Sequence, residues 1–309
     1  MPRDVALVVG DLILDRWIHG DMARISPEGP WPVVREGKQI TTPGGAANVA
    51  ASIIALDRKA WLLGVVGNDA AGMELVELCG IGCRVVVSSH TCTTVKTRIV
   101  CAGYQVLRLD RDGAATDGDR SEIGNILLET IRAEERLATV VFSDYAKGAV
   151  PLIDVPQVIV ECHSRGIRVV VQTKPDNVAW YAGADMFKPN LAEAVEILRS
   201  CGVIHPVLAL PADATDLALV AAAWLRDKFR FGAVIVTCGK AGAVYSDAGG
   251  TGLVRAKQPI DVCNTVGAGD AFLAALANPM CQVESVDYTV GMANLAAAAA
   301  IRASGRGAS

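Results

Sequence analysis

No apolar stretch in the chain reaches the ~18–20 residues that a membrane-crossing helix requires. No run of lysine and arginine is present, and the formal net charge is −4, which argues against a general nucleic-acid binder. The nine cysteines, at positions 79, 83, 92, 101, 162, 201, 238, 263 and 281, include no C-x-x-C pair. An odd, scattered set fits neither a disulfide framework nor a zinc site, so buried free thiols in a reducing cytoplasm are expected. The opening "MPRDVALVVGD" lacks the charged, apolar and cleavage regions of a signal peptide and enters a strand directly. Internal repeats and low-complexity linkers are also missing. What remains is 309 residues, 51% of them hydrophobic, enough for one large α/β domain or two smaller ones.

The order of elements favours the first. "VALVVG" (Val5–Gly10), "AWLLGVVG" (Ala60–Gly67), "ATVVFSD" (Ala138–Asp144), "IRVVVQ" (Ile167–Gln172) and "GAVIVTCG" (Gly232–Gly239) read as short buried strands. Helical segments alternate with them: Ala46–Leu56, "AAGMELVELCG", most of "PLIDVPQVIVECHSRG", and "LAEAVEILRS" after "ADMFKPN". The Ala-rich run from Asn294 to Ile301 reads as a packed helix. That alternation predicts a mostly parallel sheet with helices on both faces. Two stretches break it. Residues 15–43 have turns and prolines but no helical period, and "TTVKTRIVCAGYQVLRLD" (Thr93–Asp110) reads as a hairpin turning at Ala102-Gly103. Together they predict a small antiparallel sheet projecting from the α/β body.

Two glycine-rich turns stand out. In "GAGDAF" (Gly267–Phe272), Gly267, Ala268 and Gly269 let backbone amides approach an anion, and the helix that follows turns its positive end toward it. Asp270 opens that helix. The P-loop pattern is absent, and the third glycine of the dinucleotide fingerprint is replaced by Phe272. From these residues alone, an ordinary glycine turn before a helix explains the stretch equally well. The second turn, "PGGAANVA" (Pro43–Ala50), offers Gly44 and Gly45 for close approach and Asn48 as combined donor and acceptor, suited to a polyol. A tight turn entering a helix is the plain alternative. Strand one ends in "GDLILD", which puts Asp11 and Asp15 at the strand ends where open α/β sheets bind ligands. Solvated loop carboxylates remain the alternative there.

"NTVGAGDAF" and "PGGAANVA", in this order and about 220 residues apart, resemble the two signatures of the ribokinase-like (phosphofructokinase B type) carbohydrate kinases. The resemblance implies Asp270 as catalytic base, the turn amides as the phosphoryl cradle, and the Gly44–Asn48 turn as sugar pocket. Residues 8–34, 43–56, 93–110 and "FSDYAKGAV" resemble more closely the bacterial D-glycero-D-manno-heptose 7-phosphate kinases within that family. An ATP- and Mg²⁺-dependent kinase of the anomeric hydroxyl is thereby implied, feeding nucleotide-heptose synthesis. It would act in the cytoplasm as one kinase domain over 1–309, with no nucleotidyltransferase domain, nucleic acid or membrane partner. A substrate already carrying a phosphate needs paired cations. Lys96 and Arg98 share one strand face, and Arg16, Arg108 and Lys147 are further candidates, although a solvated surface charge explains each singly. "NLAE" matches the family motif in which Asn190 and Glu193 organise Mg²⁺ through water; an N-capped helix with an acidic first turn explains it too. Lys174, Thr237, Gly239, Gly242 and Asn294 are implied at the nucleotide.

The chain departs from the pattern at Gln172-Thr173, where the heptose kinases usually carry Asp-Pro, and at Asn264 in place of aspartate, which weakens the case for a monovalent-cation site. The alternatives are a kinase for another sugar phosphate or a nucleoside, and a non-catalytic sugar-phosphate sensor of the same fold. Trp17, Ile18, Val33 and Val34, on strands with no helix to cover them, suggest a homodimer through the β lid.

Overall fold

The computed structural model describes residues 3–80, 82–150, 155–203, 213–256, 266–278 and 285–306. In chain order the strands are β1 (Val5–Gly10), β2 (Leu12–Ile25), β3 (Pro32–Gly45), β4 (Lys59–Gly67), β5 (Cys83–Ser88), β6 (Thr94–Cys101) and β7 (Tyr104–Arg111). They continue as β8 (Leu137–Ser143), β9 (Arg168–Gln172), β10 (Met186–Phe187), β11 (Ala233–Thr237), β12 (Ala243–Asp247) and β13 (Gly250–Val254). The described helices are α1 (Ala46–Ala55), α2 (Ala70–Cys79), α3 (Asp117–Ala133), α4 (Val155–Ser164), α5 (Leu191–Ser200), α6 (Ala214–Phe229), α7 (Ala268–Leu276) and α8 (Val286–Arg306).

Nine strands form one sheet in the order β13-β12-β11-β10-β9-β8-β1-β4-β5. It is parallel from β11 to β5, and β12 and β13 add an antiparallel edge. The central strand β1 shows why its sequence is continuously apolar. Val5, Leu7 and Val9 pack into the core on one face, and Ala6 and Val8 into the core on the other. The first core is closed by α3, α4, α5 and α6 through Ile123, Val158, Ile197 and Leu225; α1, α2, α7 and α8 close the second through Val49, Leu75, Phe272 and Val290. Helices thus cover both faces, and the parallel strands deliver Asp11, Asp144, Gln172 and Lys188 to one edge.

Four strands form the second sheet, in the order β3-β2-β6-β7. Each hairpin is antiparallel, but β2 pairs with β6 in parallel, so the lid is mixed where a small antiparallel sheet was expected. The β6–β7 turn lies at Ala102-Gly103 with φ of 50° and 81°, the left-handed pair that a tight two-residue hairpin demands. β2 starts inside the α/β core, where Leu12, Ile13 and Leu14 are buried, and runs out into the lid as one piece. Five elements lie outside the sequence expectation: β5, α3, α6, β12 and β13. Helix α3 carries its innermost apolar residues at Ile123, Leu127 and Ile131, four apart on a polar surface, a stripe too narrow to register as an apolar run.

Candidate active site

Helix α7 begins at Gly267, whose φ of 82° suits glycine and sets the turn; a Cβ there would lie 3.3 Å from Asn48 Nδ2. Asp270 sits in the first turn of α7, only 8% exposed. Its Oδ2 accepts a hydrogen bond from Asn48 Nδ2 at 2.7 Å, and its Oδ1 accepts one from the Tyr145 hydroxyl at 2.7 Å. Asn48 stands in the first turn of α1, directly after Gly44 and Gly45, so the fold joins the two glycine turns at one carboxylate. Burial pushes Asp270 above its ordinary range; the Asn48 and Tyr145 hydrogen bonds and the Lys188 charge oppose this, and Asp15 adds to it. The glycines beside Asn48 are required by close packing. A Cβ on Gly44 would lie 2.5 Å from Asp15 Oδ2, and one on Gly45, at φ 58°, would strike the Asp11 carbonyl oxygen.

The lid brings Asp15, Lys96 and Arg98 over this floor. Arg98 Nη1 lies 2.6 Å from Asp15 Oδ1 in a buried ion pair, and its guanidinium stacks over Trp17 at 4.8 Å from the ring centroid. Arg98, expected at the substrate phosphate, thus spends one guanidinium nitrogen on Asp15 and covers Trp17. Lys96 makes no ion pair with the described residues. Its Nζ lies 5.4 Å from the Tyr145 ring centroid, and burial lowers its pKa against the pull of Asp15 and Asp110.

Other candidates hold the frame. Asp11, 2% exposed, accepts from the backbone amides of Tyr145, Lys147 and Ala149 at 2.7, 3.1 and 2.9 Å. Its carboxylate shapes the 145–149 loop from beneath the site, where sugar hydroxyls were expected to meet it. Burial pushes Asp11 up, and these amides pull it down. Arg16 reaches Glu74 on α2 at 3.3 Å, and Lys147 reaches Asp112 at 2.7 Å. Arg108 pairs with Asp110 at 2.9 Å on the exposed edge strand β7.

On the other side, Asn190 caps α5. Its Oδ1 accepts from the Glu193 amide at 2.9 Å, and Glu193 Oε2 accepts from the Asn190 amide at 3.0 Å, a reciprocal capping box. Glu193 Oε1 also accepts from Lys174 Nζ at 2.7 Å. Thr237, at the end of β11, bridges to Asn190; Gly239 and Gly242 form the next turn, at φ 57° and 104°. Asn294 does not reach this turn with its amide nitrogen, which donates to the Val254 carbonyl at 3.0 Å and ties α8 to β13. Asn264 lies outside the described residues.

Two residues beside Asp270 were not singled out from sequence: Tyr145 and Lys188. Both directly follow, or lie one residue beyond, the carboxyl end of a parallel strand, the position that would have pointed to them. Lys188 is 3% exposed, and a Cβ on Gly269 would lie 3.6 Å from its Nζ. Burial lowers the Lys188 pKa, while Glu193 and Asp270 raise it.

An α/β body with a β lid, a glycine turn feeding a helix N-terminus and a carboxylate held beneath the lid defines a sugar-hydroxyl phosphotransferase of ribokinase-like fold. A family model described as pfkB family carbohydrate kinase matches residues 8–309, and the chain belongs to that family. Curated relatives include the bifunctional protein HldE of Pseudomonas fluorescens (strain SBW25), 37% identical over 96% of this chain and 60% of that protein. HldE of Caulobacter sp. (strain K31) is 34% identical over 94% of this chain and 58% of its own length. The chain therefore spans about three fifths of the curated relatives it matches. Phosphofructokinase-2 from Escherichia coli, in complex with substrates and products, shares the fold at a TM-score of 0.76 and 21% identity, covering 96% of this chain and 93% of its own. Its tetrameric inhibited form gives 0.77 at 23% identity, covering 98% and 95%.

Proposed function

We propose that the chain is an ATP-dependent kinase that phosphorylates the anomeric hydroxyl of D-glycero-D-manno-heptose 7-phosphate to the 1,7-bisphosphate, in the cytoplasm, for nucleotide-heptose synthesis. The observation that carries the chemistry is the buried Asp270 carboxylate at the N-terminus of α7, fixed by Asn48 and Tyr145. Phosphoryl transfer needs positioning and charge stabilisation more than covalent help. The first amides of α7, at Ala268 and Gly269, have no intrahelical partner and favour an anion. Lys188 adds a positive charge beside them. Asp270 accepts the proton of the acceptor hydroxyl as the phosphoryl group moves, and its upward-shifted pKa brings it closer to a useful base.

The heptose assignment rests on the resemblance through Gly10–Asp110 together with the HldE relatives. Lys96 supports a phosphorylated acceptor, being a lid cation with no ion pair among the described residues. Asp15, held by Arg98, offers its second oxygen to a sugar hydroxyl.

The donor set fits Mg²⁺ held chiefly by substrate phosphate. No group of three or more His, Cys, Asp or Glu residues is gathered for a metal among the described residues. Mg²⁺ in kinases commonly takes one or two carboxylates and several waters. Glu193 receives one hydrogen bond from Asn190 and one from Lys174, which leaves lone pairs for an ordered water. When bound, Mg²⁺ would neutralise phosphate charge. Lys174 and the Thr237–Gly242 turn would flank the nucleotide.

A coupled ADP-release assay across heptose, hexose and pentose phosphates tests the reading. Acceptor-dependent turnover highest with heptose 7-phosphate is expected. Preference for another sugar phosphate would move the substrate assignment, and no acceptor-dependent ADP release with any of them would leave a binding protein of the same fold.

A further inference from the structure

Tyr145 follows β8 at the edge where the parallel strands end, and it is gripped at its amide, its ring and its hydroxyl. Its amide donates to Asp11 Oδ2 at 2.7 Å. Its ring has Lys96 Nζ at 5.4 Å and Lys174 Nζ at 5.6 Å from the centroid. Its hydroxyl donates to Asp270 Oδ1 at 2.7 Å. An ionised carboxylate only accepts, so the single hydroxyl proton is committed to Asp270. Gln172 Nε2 lies 3.2 Å from the same phenolic oxygen. With the proton committed, that oxygen presents only lone pairs, and Gln172 must donate; the network itself fixes the amide orientation. Gln172 Oε1 is left buried with no hydrogen-bond partner among the described residues, the cost of that orientation. Burial first, then the Asp270 charge, pushes the Tyr145 hydroxyl well above its ordinary pKa, so it stays protonated. The hydrogen bonds therefore run one way, from Gln172 to Tyr145 to Asp270.

We propose that Tyr145, backed by Gln172, is a positioning residue that orients the Asp270 carboxylate and sets the pH above which it can take the acceptor proton. The inference rests on the kinase reading. A hydrogen bond to the charged form of a buried acid favours that form. The other groups that face Asp270 are neutral Asn48 from α1, Lys188 beyond β10 and Asp15 from β2; one step further out, Glu193 bears on Tyr145 and Lys188, Lys174 bears on Lys188, and Lys96 lies over the Tyr145 ring. Burial lowers Lys188 and Lys96. The acid limb belongs to Asp270. Removing the Tyr145 hydroxyl leaves burial less opposed, so the Asp270 pKa rises and the acid limb moves to higher pH.

The test uses the full chain, with ATP and whichever sugar phosphate supports turnover. The kcat/KM profile against pH is measured for wild type and Tyr145→Phe. In parallel, the Asp270 side-chain carboxyl is titrated by ¹³C NMR, its resonance assigned through Asp270→Asn. In Tyr145→Phe both midpoints should move upward by about one pH unit, roughly a tenfold loss on the acid side that recovers as pH rises. A uniform loss of rate with unmoved midpoints would overturn the proposal, since that is what damaged packing alone produces. Gln172→Glu supplies the second arm. A carboxylate at position 172 accepts from the phenol and diverts its proton, so the upward shift should be larger with Tyr145 present than in the Tyr145→Phe background. Equal shifts in both backgrounds would mean a through-space charge effect and no relay. If wild type shows no acceptor-dependent ADP release, the kinase reading fails, and the NMR titration still decides whether Tyr145 governs Asp270.

Discussion

At the level of single residues, Asp270 is a carboxylate whose protein partners only donate to it. Losing a general base typically costs about 10²–10⁴ in rate. Asp270→Asn should therefore lower kcat by that order and leave calorimetric binding of ATP and sugar nearly unchanged. Near-wild-type turnover under conditions where chemistry limits the rate would remove Asp270 from the mechanism. The two lid cations should part company. Arg98→Ala leaves Asp15 as an unpaired buried charge, a change that typically costs about 3–5 kcal/mol of stability. Lys96→Ala breaks no ion pair among the described residues, so it should leave the melting temperature nearly intact and weaken kcat/KM roughly tenfold to a hundredfold with a 7-phosphorylated acceptor. The Lys96 loss should shrink with unphosphorylated heptose; equal losses on both acceptors would show that Lys96 serves another group.

Among the elements, α2 clasps the base of the lid from two sides. Asp69 caps its first turn by accepting from the Gly72 amide at 2.8 Å, and it also receives the Thr93 hydroxyl at 2.7 Å and Arg111 at 3.3 Å, from the two ends of the β6–β7 hairpin. One turn later Glu74 accepts from Thr41 at 2.6 Å and Arg16 at 3.3 Å, on the β2–β3 hairpin. Burial pushes Asp69 up, but the Thr93 and Gly72 hydrogen bonds and the Arg111 charge outweigh it, so its pKa falls below the ordinary 3.8. A depressed carboxyl stabilises the fold fully above its unfolded value and loses that contribution as pH falls through the folded one. An asparagine there still caps a helix but carries no charge. Asp69→Asn should therefore be less stable to urea at neutral pH, with a gap that narrows on acidification below 3.8. A gap independent of pH would show that the carboxylate's charge contributes nothing there.

For the molecule as a whole, the lid leaves an apolar face open. Met22, Val33, Tyr104 and Val106 line one groove together with the charged Asp21, Arg24 and Arg35, and Tyr104 is 77% exposed. The exposed set differs from the one that sequence suggested: Trp17, Ile18, Val33 and Val34 are only partly exposed, whereas β7 is exposed along its whole length. An open apolar sheet face favours a partner, and the proposed homodimer would cover it with a second lid. Sedimentation equilibrium at micromolar concentration should give a dimer, and Val106→Arg should return it to a monomer with its α/β body intact. A wild-type monomer at that concentration would sink the lid dimer.

Local pattern was enough for the parts whose physics is local. Apolar runs marked the doubly buried strands β1, β4 and β8, and Ala102-Gly103 marked a hairpin because few residue pairs accept two positive φ angles. Two glycine turns announced a phosphate-and-sugar chemistry through family resemblance. Elements with a polar surface, such as α3, left too thin a stripe to read. Partner choice was decided only by the tertiary structure. Lys96 and Arg98 look equivalent on one strand, and the register of β2 on β6 sets Lys96 opposite Asp15 and Arg98 opposite Trp17, yet it is Arg98 that reaches Asp15 diagonally while Lys96 lies over Tyr145. Asp11 and Asp270 both read as site carboxylates, but strand ends meeting in space give one to backbone amides and the other to Asn48 and Tyr145. The Asn48–Asp270 contact spans 222 residues, and no local pattern encodes a hydrogen bond between groups that meet only when the sheet closes.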